Sequence, residues 1–116
     1  MSDKPIFTHE KLSKNGVNIT EKDLNDIVQK YGVKEISVFG SAIRDDFTPQ
    51  SDLDLLIEFS DSQKISLFDI IDIQEYFSKL TNRNVDIVEP AALKNPYRKK
   101  AILSSKEVLY SADWKG

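Results

Sequence analysis

Two aspartates separated by a single residue are the part of this sequence best suited to chemistry. Asp52 and Asp54 open an apolar run that continues to Phe59. Because alternate side chains of a strand share one face, the two carboxylates should lie about 7 Å apart on the same side. Two like charges in that position repel each other unless a cation lies between them. Carboxylate oxygens at this spacing suit Mg²⁺, which binds one or two protein carboxylates together with water and phosphate oxygens.

A glycine–serine pair supplies the complement to these acids. Gly40 and Ser41 follow a short apolar run, and ten residues separate them from Asp52. Glycine lets the backbone approach a ligand closely, and a helix that begins at Ser41 would direct free N–H groups at a phosphate. An ordinary turn explains the pair when it is taken alone. The pair and the acids together indicate a site for a phosphate and the metal that accompanies it.

A third acid interrupts another apolar run. Asp86 lies within Val85–Val88, and an isolated buried charge is energetically costly. One interpretation places its side chain on the exposed face of an edge strand. The other places it beside Asp52 and Asp54, either as a third metal ligand or as the base that takes a proton from an attacking hydroxyl.

Hydrophobic spacing and capping signals predict the elements that must hold these residues. The predicted helices run from Glu21 to Tyr31, from Leu67 to Leu80 and from Pro96 to Leu103. The predicted strands run from Val33 to Phe39, from Leu53 to Phe59, from Val85 to Val88 and from Val108 to Tyr110. The second strand should be central because it is apolar on both faces, and the last should lie at an edge. We also expect a short helix from about His9 to Lys14 and a turn at Asp61, Ser62 and Gln63.

The predicted fold class is α/β (α+β), a mixed β-sheet with helices packed on it. The 116 residues imply a single domain over 1–116, with residues 1–19 as a flexible leader. The net charge of −3 argues against direct nucleic-acid binding, and the absence of cysteine excludes disulfides and zinc–thiolate sites. With no apolar stretch near the ~18 residues of a membrane span, we expect a cytoplasmic protein without membrane contact.

The spacing of these residues resembles that of the minimal nucleotidyltransferases of the DNA polymerase β-type superfamily. Members are best known as the antitoxin half of HEPN/MNT toxin–antitoxin pairs. The likeness extends over most of the chain, about Glu21 to Tyr110. The family often places a glycine where this sequence has Asp45, which leaves the geometry of that turn open. The residues that carry the resemblance are Gly40-Ser41, Asp52-Leu53-Asp54-Leu55-Leu56, Asp86 within Val85–Val88, and the tail from Arg98 to Tyr110.

The resemblance implies an enzyme, a Mg²⁺-dependent nucleotidyltransferase that transfers AMP from ATP to an acceptor hydroxyl. It implies two Mg²⁺ ions, and in-line phosphoryl transfer suits two metals about 3.5–4 Å apart. Asp86 would also help to deprotonate the acceptor. The implied partner is a HEPN-family toxin, with a tyrosine as the expected acceptor, and the chain would act as its antitoxin. The implied catalytic and metal-binding residues are Asp52, Asp54 and Asp86, and the implied nucleotide-binding residues are Gly40, Ser41 and Arg44.

The sequence contains two basic features besides the acids, Arg44 and a cluster near the C-terminus. Arg44 contacts a phosphate or the acceptor, or it forms a surface ion pair with Asp45 or Asp46, and such pairs are common in loops. A basic cluster near the C-terminus is better interpreted as a solvated helix face. Its members are Lys94, Arg98, Lys99 and Lys100.

Two other functions fit parts of the sequence. A nucleotidyltransferase for a small molecule, such as an aminoglycoside, usually adds a second domain that closes over the acceptor, and 116 residues are few for that. A non-catalytic antitoxin that blocks its partner by contact would gain nothing from clustered acids, whose repulsion costs stability.

The predicted helix from Leu67 to Leu80 carries more apolar surface than one sheet contact needs, since a stripe of about 100° is enough. Its margin, with Phe68 and Tyr76, either packs under Ile6 and Phe7 or forms a surface that docks a partner. We expect this helix margin to lie near the docking surface of a partner, with Tyr76 as an exposed member. The eight large apolar residues are Leu67, Phe68, Ile70, Ile71, Ile73, Tyr76, Phe77 and Leu80.

Overall fold

All seven main helices and strands expected from the sequence pattern are present. The computed structural model describes Leu12, residues 14–60 and residues 64–112. The bounds differ from the predicted ones by at most two residues, which is ordinary variation at element ends. The helices are α1 (Glu21–Tyr31), α2 (Leu67–Thr81) and α3 (Pro96–Ser105), and the strands are β1 (Val33–Phe39), β2 (Leu53–Phe59), β3 (Val85–Val88) and β4 (Glu107–Ser111). Short 3-10 turns span Gly40–Ile43 and Pro90–Ala92.

The four strands form one mixed sheet in the order β3-β2-β1-β4. β1 is antiparallel to both β2 and β4, whereas β2 and β3 are parallel. The predicted fold class is confirmed, and β2 is an interior strand, as its apolar faces indicated. β3 lies at the sheet edge, where only Val85 is buried and Asp86 is exposed, which is the place that one of the two interpretations gave to Asp86.

The register of the strands brings one end of β1 to the starts of β2 and β3. Phe39, the last residue of β1, is paired with Asp54 near the start of β2. In the parallel pair, Leu53 aligns with Val85 and Asp54 aligns with Asp86. The residues singled out for chemistry therefore meet at a single edge of the sheet.

Apolar side chains cover both faces of the sheet and hold this register. Val38 and Leu55 belong to the larger buried cluster, which also contains side chains from α1 and α2. Phe39 and Leu56 point to the other face and pack with Ile102 of α3. Burying one such side chain stabilises the fold by roughly 1.5–3 kcal/mol. A slip of one residue would exchange the two faces, so this burial specifies the register strongly.

Part of the N-terminal segment belongs to the core. Leu12, Val17 and Ile19 are at most 1% exposed and lie in the larger cluster. These three side chains are thus packed in the core, and their irregular spacing matches neither the helix period nor the strand period. The assignment of one domain over the whole chain stays a prediction. Other predictions lie wholly or mostly outside the described residues: the helix from His9 to Lys14, the turn at Asp61, Ser62 and Gln63, and the packing of Ile6 and Phe7.

The helix ends follow the capping signals of the sequence. Thr20 and Asp23 form a reciprocal capping box at the start of α1, which ends at Gly32 with a φ of 67°. Ser66 and Asp69 form the same box at the start of α2. An N-cap of this kind contributes about 1 kcal/mol, because it satisfies N–H groups that the helix leaves free.

The prediction that α2 carries an excess of exposed apolar side chains is only partly correct. Leu67 is 73% exposed and Phe68 is 78% exposed, so an apolar excess is present at the start of the helix. Tyr76 is not part of it: its hydroxyl donates to the main-chain oxygen of Asp23 at 3.3 Å, and its ring packs edge-on against Phe77. Tyr76 thus joins α2 to α1, and the expectation that it is exposed on a docking surface is wrong.

The two faces of α2 should respond differently to truncation. We expect Ile73→Ala to lower the free energy of unfolding by about 2–5 kcal/mol, because Ile73 is fully buried and a cavity would remain. Phe68→Ala should change it by no more than about 0.5 kcal/mol. Urea denaturation of both variants measures the difference, and equal losses would show that the α2 contact with the sheet is misassigned.

Candidate active site

The three aspartates lie at the same sheet edge. Asp52 directly precedes β2, and Asp54 and Asp86 are the second residues of β2 and β3. Asp54 and Asp86 are direct neighbours in the parallel register. The pKa of Asp54 is raised by burial first, and then by the negative charges of Asp86 and Asp52. The three acids singled out in the sequence are thus neighbours in the structure, and each of the other two acts electrostatically on Asp54.

The acids are close without forming a complete metal cage. Among the described residues, no three His, Cys, Asp or Glu side chains converge as a preformed metal site. The donor set still fits Mg²⁺, because this ion needs only one or two protein carboxylates and completes its shell with water and phosphate oxygens. A cation would also offset the repulsion that raises the pKa of Asp54.

An open cavity of about 680 Å³ lies between this sheet edge and α3. Its size is that of a typical small-molecule site. Asp86 is not among the described residues that line it and stands at the neighbouring edge strand. The lining contains every other predicted site residue, and Arg98 adds a further charge to it. The predicted residues are Gly40, Ser41, Arg44, Asp52 and Asp54.

Gly40 and Asp54 occupy the same small space. Gly40 has a φ of 69°, in the left-handed region that other residues rarely adopt. A Cβ atom at this position would lie 2.5 Å from Oδ2 of Asp54. Glycine is therefore needed for two reasons: the turn has a left-handed backbone, and any side chain would collide with the Asp54 carboxylate. This contact links the Gly40-Ser41 pair to the acids.

Ser41 connects the turn to the acids rather than beginning a long helix. Where the sequence suggested a helix, the structure has a 3-10 turn of four residues, Gly40–Ile43. The turn ends at Arg44, whose backbone is extended. The Ser41 hydroxyl donates to the main-chain oxygen of Asp52 at 3.3 Å. This bond ties the end of β1 to the residue that precedes β2.

Arg44 lines the cavity but is already paired. Its Nε lies 3.2 Å from Oδ1 of Asp46, and both side chains are more than half exposed. This is one of the two interpretations left open by the sequence, and such an exposed pair contributes little to stability. The loop makes no use of a glycine at Asp45, since Asn82 is the only non-glycine residue with positive φ in the described part of the chain.

Arg83 holds the connection between Gly40 and the acids, although the sequence analysis did not single it out. Its Nη1 donates to the main-chain oxygens of Thr48 and Ser51, at 3.1 and 2.9 Å. Its Nη2 donates to the main-chain oxygen of Asn15, and the guanidinium lies over the ring of Phe47 at 4.9 Å. Ser51 directly precedes Asp52, so this arginine fixes the path by which the chain enters β2.

Arg98 is the second residue that sequence reasoning missed. Arg98 is exposed, as the interpretation of a solvated basic cluster expected, but it also lines the cavity together with Ala101, Ile102 and Ser105. Their spacing of three, four and seven residues places them on one face of α3. Lys99 and Lys100 line a separate hollow, so the cluster divides between two sides of the helix. The helical spacing was visible in the sequence, but nothing in it indicated which face met the sheet.

The apolar start of α2 is far from the acids. α2 begins after β2 has crossed the sheet away from Asp54, and it runs back to the start of β3. Its 15 residues span roughly 22 Å. The exposed apolar residues at the start of α2 therefore lie at the opposite end of the sheet from the acids.

Comparison with known proteins identifies the family. Residues 21–109 match the family described as the nucleotidyltransferase domain. The chain belongs to this family. It is therefore a nucleotidyltransferase, its substrate is a nucleotide, and the resemblance noted in the sequence is confirmed. Within the described residues, no helix of this nucleotidyltransferase is both long and apolar enough to span a membrane.

Relatives cover most of this nucleotidyltransferase. MJ0126 of Methanocaldococcus jannaschii, a candidate protein adenylyltransferase, is 38% identical over 84 residues, which are 72% of this chain and 84% of that protein. The protein adenylyltransferase MntA of Thermococcus cleftensis is 34% identical over 85 residues, 73% of this chain and 81% of that protein.

Solved structures share the fold. A candidate minimal nucleotidyltransferase, 27% identical, superposes with a TM-score of 0.60 over 77% of this chain and 86% of that one. A Shewanella oneidensis complex of a tri-AMPylated HEPN toxin with an MNT antitoxin gives a TM-score of 0.57 at 11% identity, over 90% of this chain and 73% of that one.

Substitution of Gly40 tests the link between the turn and Asp54. We expect Gly40→Ala to lower nucleotidyl transfer at least about tenfold, because the new Cβ displaces the Asp54 carboxylate; the left-handed backbone adds about 1–2 kcal/mol of strain. Gly32→Ala is the matched control, since Gly32 has a similar φ of 67° beside Ser60, beyond the other end of β2. Both variants should lose similar stability in thermal melts. Equal loss of activity in both would refute a specific contact with Asp54.

Proposed function

We propose that this chain is a protein adenylyltransferase that transfers AMP from ATP to a hydroxyl of a HEPN-family toxin and thereby acts as its antitoxin. Its membership of the nucleotidyltransferase family and the adenylyltransferase name of the Thermococcus cleftensis relative support this proposal. The Shewanella oneidensis complex joins an MNT antitoxin of this fold to an AMPylated toxin. The observation that carries it is the alignment of Asp54 with Asp86, beside Asp52 and opposite Gly40.

Asp52 and Asp54 are the proposed ligands of two Mg²⁺ ions, with Asp86 completing the set. Their oxygens are the hard donors that this ion prefers. When bound, Mg²⁺ supplies charge that neutralises the phosphate oxygens during an in-line displacement. The chain itself supplies the fixed positions of the carboxylates, which the β2–β3 register and Gly40 hold in place.

The cavity residues bind and orient the nucleotide. Gly40 allows the backbone to come close to the phosphates, and Ser41 holds the turn against Asp52. The opposite wall is partly apolar, with Ile102 buried against Phe39 and Leu56. An open cavity of about 680 Å³ accommodates a nucleotide while leaving the acceptor to approach from solvent.

Asp86 is the proposed base for the acceptor hydroxyl. It is exposed on the edge strand and stands outside the cavity lining, where an acceptor side chain can reach it. In the transfer, the acceptor oxygen forms a bond to the α-phosphorus of ATP and its proton passes to Asp86. The bond from the α-phosphorus to the bridging oxygen breaks, and pyrophosphate leaves. A tyrosine of the toxin is the proposed acceptor, because its long side chain can extend from a folded surface to this edge.

The acceptor is tested with a purified HEPN-family toxin, incubated with this chain, Mg²⁺ and ATP labelled on the α-phosphate. Label should enter the toxin, and mass spectrometry should place AMP on a tyrosine. Label on the γ-phosphate should not transfer. An active enzyme that leaves no AMP on the toxin would refute the acceptor.

Removal of one central carboxylate should stop the reaction. Asp54→Asn should lower transfer at least about 10³-fold and leave the far-ultraviolet circular dichroism unchanged, since the substitution preserves shape and removes charge. Glu58→Gln is the matched control, because Glu58 lies on the same strand but pairs with exposed Lys34. Near-normal transfer by Asp54→Asn would remove Asp54 from the catalytic site.

Asp86→Asn should separate binding from chemistry. It should lose most of the transfer rate yet still bind ATP with Mg²⁺, because Asp52 and Asp54 remain. Residues that act as one unit are not additive, so the Asp52→Asn/Asp86→Asn double variant should be little slower than Asp52→Asn alone. Full activity of Asp86→Asn would show that Asp86 has a structural role only.

A further inference from the structure

Two arginines line the cavity, and their environments differ. The Arg44 guanidinium is paired with Asp46 at 3.2 Å. For the Arg98 guanidinium, the described residues provide neither an ion pair nor a hydrogen bond. Among the described residues that line the cavity, Arg98 is therefore the cationic side chain without a protein partner.

The backbone at Arg98 is fixed by contacts that do not involve the guanidinium. The Asn95 side chain caps the helix and accepts from the main-chain N–H groups of Tyr97 and Arg98, at 2.9 and 3.1 Å. One turn later, Ile102 is buried against Phe39 and Leu56 and fixes the same face of α3 to the sheet. At the end of the helix, Lys106 pairs with Glu35 of β1. The backbone that carries Arg98 is thus anchored at three points.

The cavity has charges of opposite sign on its two walls. The sheet edge contributes Asp52 and Asp54, and α3 contributes Arg98. A polyphosphate bound with a divalent cation carries both kinds of partner: the cation faces the carboxylates, and the remaining phosphate oxygens face a guanidinium.

We propose that Arg98 binds the β- and γ-phosphates of the nucleoside triphosphate, the part that leaves as pyrophosphate. This inference rests on the proposed function only in taking ATP as the nucleotide. The planar guanidinium forms two parallel hydrogen bonds to phosphate oxygens, which a lysine ammonium cannot reproduce. Charge on the leaving phosphates grows as the α-phosphorus bond breaks, so the same contact favours the transition state.

Lys100 provides a matched control for this arginine. It lies two residues further along α3 and lines the hollow formed by Pro96, Leu103 and Ser104. Truncation of either side chain removes one positive charge from the same helix. Only Arg98 lines the cavity, so a general effect of charge would appear in both variants.

The test measures binding of ATP and of AMP, with Mg²⁺ and without acceptor, by isothermal titration calorimetry. Arg98→Ala should weaken ATP binding about tenfold to a hundredfold, the range for hydrogen bonds to charged groups, and leave AMP binding within about twofold. Arg98→Lys should fall between wild type and Arg98→Ala, and Lys100→Ala should match wild type. Thermal melts confirm that each variant is folded.

Each other outcome contradicts the inference. Unchanged ATP binding by Arg98→Ala would remove the contact, and equal weakening of ATP and AMP would place Arg98 away from the β- and γ-phosphates. A raised KM for the toxin with unchanged ATP affinity would assign Arg98 to the acceptor instead. Because binding is measured without acceptor, absence of AMP on the toxin would refute the proposed function and leave this result standing.

Discussion

Repulsion among Asp52, Asp54 and Asp86 is the constraint on which the rest of this structure depends. The parallel register of β2 and β3 places Asp54 directly beside Asp86, and the pKa of Asp54 is raised first by partial burial and then by the charges of Asp86 and Asp52. Such an arrangement costs stability unless a cation is bound. The fold must hold the three carboxylates together by forces that do not involve them, and the apolar clusters on both faces of the sheet supply those forces.

The supporting residues act at the points where the chain enters and leaves this sheet edge. Gly40 leaves space for the Asp54 carboxylate at the end of β1. Arg83 binds the main-chain oxygen of Ser51 and so fixes the approach to Asp52. Arg98 reaches the same cavity from α3. Each of these residues controls the position or charge of the acids from a different element, which is why the site is built from residues far apart in the sequence.

The sequence predicted the elements well because local signals determine them. The capping box at Thr20 and the left-handed Gly32 mark both ends of α1, and the apolar runs mark β1 and β2. The proximity of the three acids was also predictable, since each lies at a strand start. The roles of Arg83 and Arg98 were not found. Main-chain carbonyls bind Arg83 and leave no pattern, and the face of α3 that meets the sheet depends on tertiary packing. For the same reason Tyr76 was placed on the surface, although it joins α2 to α1.

The most direct test of the central claim is the affinity of Mn²⁺, a spectroscopic substitute for Mg²⁺, measured by electron paramagnetic resonance in the presence of a non-hydrolysable ATP analogue. Wild type, Asp54→Asn and Glu58→Gln are compared at constant ionic strength. If the carboxylates of this sheet edge hold the metal, Asp54→Asn should bind Mn²⁺ at least about tenfold more weakly, because metal affinity follows the charge of the ligand set, and Glu58→Gln should match wild type. Equal Mn²⁺ affinity in all three proteins would contradict the account.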